Sequence, residues 1–91
     1  MNAEQAVIGA LLKHNDALDS VELKPEHFAD FTLREIYSQM LELANDSRPF
    51  DAVSMADALD KQDRLESIGG MGYLASLQDT PTVANLSYYA R

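Results

Sequence analysis

Apolar residues recur at every third or fourth position through most of this chain, and no stretch alternates convincingly between apolar and polar. That period predicts helices rather than strands. The clearest case is TLREIYSQMLELAND (32–46), where Leu33, Ile36, Tyr37, Met40, Leu41 and Ala44 fall on one side. Arg34, Glu35, Gln39, Glu42 and Asn45 fill the other. Thr32 followed by Glu35 has capping-box spacing, in which the hydroxyl accepts from a free amide while the carboxylate reaches back to the cap. The helix is therefore predicted to start at Thr32. NAEQAVIGALLK (2–13) reads similarly, with Asn2 as cap and Glu4 and Gln5 in the first turn. Val7, Ile8, Leu11 and Leu12 make its buried side, and Lys13 suits the last turn.

Between and after these two helices the punctuation residues set the boundaries. Pro25 predicts a single helical turn at PEHF (25–28), and Phe28 and Phe31 are expected to pin the loop to the core. SRPFD (47–51) is a linker, because the residue before a proline is pushed out of the helical region. Ser54, with Asp57 three residues on, is predicted to cap the next helix, MADALDKQ (55–62), and DRLESIGG (63–70) comes next as a brief helical segment. Gly69 or Gly70 can take the left-handed conformation that ends this turn, so GMGYLASLQ (70–78) can start a new helix at once. Pro81 stops that helix, Thr82 is a candidate cap, and VANLSYYAR (83–91) begins another with Val83, Leu86 and Ala90 on one face. That last helix meets no stop signal, so the natural chain is expected to continue past Arg91. The resulting fold is all-α: a compact orthogonal bundle of about six helices, some very short, forming one domain over residues 1–91.

Composition removes several classes of function. A chain of 91 residues buries about 60–65% of its unfolded surface, enough for one modest core. Asp and Glu number 15 against 7 Lys and Arg, a net charge of −8. That balance opposes direct nucleic-acid binding, which draws on basic side chains that displace counterions, and it favours basic partners. With no cysteine there is neither a disulfide frame nor a thiolate metal site. No apolar run approaches a membrane span and there is no signal-peptide pattern, which makes the cytoplasm the expected location.

Candidate chemistry is sparse. The four glycines, at 9, 69, 70 and 72, include no GxxxxGK[ST] phosphate loop. His14 and His27 lie in different elements without a carboxylate at ligand spacing and read as ordinary surface residues. Asp57, Asp60 and Asp63 recur every third residue, which suits a solvated helix face better than a metal or acid–base cluster. Met40, Met55 and Met71 read as gap-filling apolar residues rather than a cofactor box. An acidic helical acyl carrier would need an Asp-Ser-Leu site for its prosthetic group. Ser54, the nearest candidate, has Val53 before it and Met55 after it, so a helix cap is the better reading.

Taken together and in order, AEQAVIGALL (3–12), FTLREIYSQMLEL (31–43), RPFDAVSMADAL (48–59) and LESIGGMGYLASLQDTPTVANLSYYA (65–90) resemble the N-terminal domain of DnaB-type replicative DNA helicases across essentially the whole chain. The resemblance implies a noncatalytic domain that pairs with copies of itself in the collar of a hexamer and serves as the docking side for primase, with a helicase loader as a further partner. It also implies that the chain continues into a helical hairpin, a linker and a RecA-like motor domain that would bind ATP and Mg. No cofactor and no direct nucleic-acid contact are expected of the present residues. A stand-alone acidic helical adaptor, or a carrier-type domain, is the alternative.

The resemblance places a pairing surface on GGMGYL, and the residues there agree with one. Glycines at 69, 70 and 72 strip bulk from around Met71, which lets a partner approach closely. The candidate interface is therefore Gly69, Gly70, Met71, Tyr73 and Leu74. The opposing possibility, that Met71, Tyr73 and Leu74 all face their own core, stays open at the level of sequence.

Overall fold

The computed structural model describes residues 3–79. Among these the fold is helical throughout, with α1 at Ala3–Lys13, α2 at Phe31–Asn45, α3 at Ala52–Lys61 and α4 at Gly70–Gln78. Three 3₁₀ segments, Asn15–Ser20, Pro25–His27 and Glu66–Ile68, lie in the connections. The all-α expectation holds, and so does the single turn at Pro25. The helix expected over 83–91, its cap at Thr82, the stop at Pro81 and the cap at Asn2 lie outside the described residues.

The first helix is the centre of the molecule. Every residue from Ala6 to Leu12 is buried, Gly9 included, so α1 is covered on all sides rather than on one stripe. Helices α2 and α4 and the Asn15–Ser20 segment pack around it, and α3 closes the bundle against α2 and α4. Leu33, Ile36, Met40, Met55, Leu59, Leu74 and Leu77 join it in one continuous core. Asn15 ends α1 by donating from Nδ2 to the Leu11 carbonyl at 2.9 Å, and its Oδ1 accepts from the Phe50 amide, also at 2.9 Å. One side chain thus ties the end of α1 to the linker before α3.

Two predicted starts are corrected. The cap of α2 is Asp30, whose carboxylate accepts from the Leu33 amide at 3.1 Å, and Thr32 lies inside the first turn. The cap of α3 is Asp51, which accepts from the Ser54 amide at 2.8 Å, so Ser54 is the third residue of the helix rather than its cap. In both cases an Asp with extended backbone stands upstream of the hydroxyl residue, so the free amides find their acceptor earlier. Phe28 is buried as expected, its ring 5.0 Å from that of Tyr37. Phe31 is not: it is 68% exposed. The spacing of three residues brings side chains onto one face only within a helix, and Phe28 lies in extended backbone ahead of the Asp30 cap.

Three helical segments end by the same device. Ser47, Asp63 and Gly69 have φ of 57°, 56° and 107°, and the amide of the next residue bonds back to a carbonyl five residues earlier. Those bonds run from Arg48 to Leu43, Arg64 to Leu59 and Gly70 to Leu65, each at 2.9 Å. A left-handed residue turns the chain so that otherwise unpaired carbonyls are satisfied. Only the third end uses glycine.

Candidate interaction surface

The corner at residues 65–74 is built by two successive left-handed residues, since Gly70 also has positive φ, at 76°. The short Glu66–Ile68 turn ends at Gly69, and α4 begins at the next residue with no loop between. Side-chain bulk is also excluded at the first glycine. A Cβ on Gly69 would lie 2.8 Å from the Cβ of Tyr73, whereas around Gly70 and Gly72 there is open space within 4 Å. Tyr73 therefore lies directly over Gly69, and its hydroxyl accepts from Gln5 Nε2 of α1 at 3.4 Å.

The five residues singled out from sequence come together but face different ways. Met71 is on the surface at 38% exposure, and Gly72 beside it is exposed. Tyr73 is half-buried against the edge of the core. Leu74 is fully buried, its side chain part of the domain's own core with Ile68 and Leu77. Gly69 and Gly70 contribute the shape of the corner.

Beside this corner lies a shallow groove of about 430 Å³. Asp30 and Thr32 from the start of α2 form one wall, and Glu66, Ser67, Ile68, Gly69 and Tyr73 form the other. Phe31 and Met71, two of the three large exposed hydrophobic residues among those described, are chain neighbours of these residues but do not line the groove. The third, Val53, is 69% exposed in the first turn of α3. Phe31, expected with Phe28 to pin the loop to the core, is instead exposed in the first turn of α2. The Asp30 cap between them was the available signal.

A chain of polar contacts runs from α2 to the end of α3. Gln39, the buried polar residue of α2, accepts from Gln62 Nε2 at 2.8 Å, and Gln62 Oε1 accepts from Arg64 at 3.0 Å. Arg64 also pairs with Glu35. Of these contacts the Arg64–Glu35 ion pair is charge-assisted and partly buried, and together they join α2 to the segment after α3.

Elsewhere the titratable groups fall into ordinary structural roles. His27 Nδ1 accepts from the Lys24 amide at 3.1 Å and so closes the Pro25 turn, while His14 is exposed. Asp57 pairs with Lys61 across one turn at 3.1 Å, both largely in solvent, where such a pair contributes little. Among the described residues no group of three or more His, Cys, Asp or Glu could hold a metal ion. No helix among them is long and apolar enough to cross a membrane.

A family model described as the DnaB-like helicase N terminal domain matches residues 1–91. The chain belongs to that family. It is 38% identical over 94 residues to the replicative DNA helicase DnaC of Bacillus subtilis (strain 168), covering 100% of this chain and 21% of that protein. Against the replicative DNA helicase DnaB of Geobacillus stearothermophilus the identity is 42% over 94 residues, with the same coverage of each. The crystal structure of the N-terminal domain of DnaB helicase from Mycobacterium tuberculosis superposes with a TM-score of 0.89 at 40% identity, covering 97% of this chain and 63% of that one. The DnaB-type fold read from the sequence is thus the fold observed. The chain spans about a fifth of the length of the curated relatives it matches.

Proposed function

We propose that this chain is the noncatalytic assembly and partner-docking domain of a cytoplasmic replicative DNA helicase, pairing with copies of itself in the collar of a hexamer and receiving primase and a helicase loader there. What carries this reading is the match of the family over all of residues 1–91, together with the high structural similarity to a DnaB N-terminal domain. ATP and Mg would then belong to the motor domain of the parent helicase, since the present sequence has no phosphate loop. Pairing is centred on the corner at Gly69–Tyr73, where Met71 is the exposed apolar side chain and Gly72 keeps its surroundings low.

Burying a few apolar side chains in each copy contributes about 1.5–3 kcal/mol apiece before association costs, which supports a weak dimer. Sedimentation of the parent chain and of Met71→Glu over a range of concentrations tests this directly. A folded variant that no longer pairs is the expected result. Undiminished pairing would move the interface elsewhere. Primase docking is read separately, by comparing primase affinity for this chain with that for the intact hexamer. A site shared between neighbouring domains predicts markedly tighter binding to the hexamer, and equal affinities would contradict it.

A further inference from the structure

We propose that Met71 is a site of reversible oxidation by peroxide, and that its sulfoxide holds the chain unpaired. This deepens the pairing reading above and rests on it. The chain has four methionines and neither cysteine nor tryptophan, so thioether sulfurs are its readiest reductants toward a peroxide. Met40 and Met55 are both 0% exposed in the core, whereas Met71 is 38% exposed, and Met1 lies outside the described residues. Burial shields the first two, because the oxidant must reach the sulfur. The flanks of Met71 are open: there is free space within 4 Å of where a Cβ would stand at Gly70 and at Gly72.

The step is a two-electron oxidation of sulfur by hydrogen peroxide. The sulfur lone pair attacks one peroxide oxygen, the O–O bond breaks as the S–O bond forms, and the other oxygen leaves as water with both peroxide protons. A sulfoxide reductase with a dithiol runs the balance back, releasing the oxygen as water and leaving the two thiols as a disulfide. Oxidation makes a flexible apolar side chain polar, and the position of Met71 magnifies the change. Helix α4, GMGYLASLQ, carries no charged residue, so a contact on its surface has no ion pair of its own to fall back on. In a chain of charge −8, apolar contact there must also outweigh self-repulsion. A sulfoxide oxygen pressed into such a contact loses its water without gaining a donor. Pairing and oxidation exclude one another as well, since a sulfur covered by a second copy is closed to peroxide. The unpaired chain is thus the form oxidised, and the oxidised chain is the form that stays unpaired.

The test treats the dilute chain with hydrogen peroxide, follows each methionine by peptide mass spectrometry, and measures pairing by sedimentation before and after. Met71 is expected to gain one oxygen while Met40 and Met55 stay unmodified until the chain is unfolded in urea. Equal rates at all three in the folded chain would overturn the site. The oxidised chain should pair about tenfold more weakly, and should recover on treatment with the sulfoxide reductases for both epimers and dithiothreitol. Met71→Leu keeps the apolar bulk without the sulfur, so it should pair like the parent and go on pairing after peroxide. If it too loses pairing, the sensitive group lies elsewhere, Met1 included, and the proposal is wrong. Raising the chain concentration should slow oxidation of Met71, and a rate independent of concentration in a chain that pairs would overturn the mutual exclusion. If Met71→Glu is monomeric while the sulfoxide pairs fully, this inference fails and the pairing reading stands. If Met71→Glu pairs fully, the pairing reading fails and the switch falls with it.

Discussion

Tyr37 shows how much one side chain can settle. It lies on the apolar face of α2, is 1% exposed, packs its ring against Phe28, and donates its hydroxyl to the Leu23 carbonyl at 2.9 Å. A single residue thus holds the long connection between α1 and α2 onto the bundle. Burial pushes its pKa above the ordinary 10.0, because the phenolate is poorly solvated there. The folded pKa therefore exceeds the unfolded one. Its stabilising contribution is complete below the unfolded value and is lost as pH rises through the folded value. Urea unfolding measured against pH should show stability declining above about pH 10, with that component missing in Tyr37→Phe. At neutral pH the same variant should lose about 1–2 kcal/mol, since the Leu23 carbonyl forfeits its donor.

At the scale of elements, the shared helix ending separates residues that look alike in the sequence. Ser47 and Asp63 bear the cost of a left-handed backbone with a side chain attached, and Gly69 does not. The difference lies in the next element of the chain. After Gly69 the backbone enters α4 directly, and Tyr73 sits where a Cβ would go. Gly69→Ala is expected to cost about 1–3 kcal/mol, from the positive φ and from the contact with Tyr73. Gly72→Ala should do the opposite. It has open space around it and a helical backbone, so alanine should add about 0.5–1 kcal/mol. Paired denaturant curves would show whether the two substitutions differ in sign, and two similar losses would mean that Gly72 also serves a close contact.

For the whole molecule, charge governs behaviour toward other macromolecules. With −8 per chain, single-stranded DNA should be bound only weakly, and anisotropy titration at near-physiological salt should show no submicromolar affinity. Self-association should respond to salt in the sense opposite to DNA binding: screening relieves the repulsion between two acidic copies, so the dimer should tighten as salt rises. Sedimentation at low and high salt reads the sign directly. A dimer that loosened with salt would point to opposite charges paired across the interface. The isolated chain is also expected to show no ATP hydrolysis, measured as phosphate release, because it lacks a phosphate loop.

Helical class, the order of the elements and most of the core were legible in the sequence, because burial along a helix repeats with the backbone's own period. Leu33, Ile36, Tyr37 and Met40 needed no neighbour to reveal their face. The glycine corner was legible for a similar reason, since positive φ is a local demand. Family membership was legible because several short stretches agreed in order and spacing at once. Tertiary structure alone decided the rest. Which acceptor caps a helix depended on where the chain came from, so Asp30 and Asp51 displaced Thr32 and Ser54. Whether Phe31 and Leu74 were buried depended on what lay opposite: one stays exposed in the first turn of α2, the other lies within a core shared with α1 and α3. Periodicity specifies which residues share a face. Only packing specifies which faces are covered, because coverage is a relation between elements far apart in the chain.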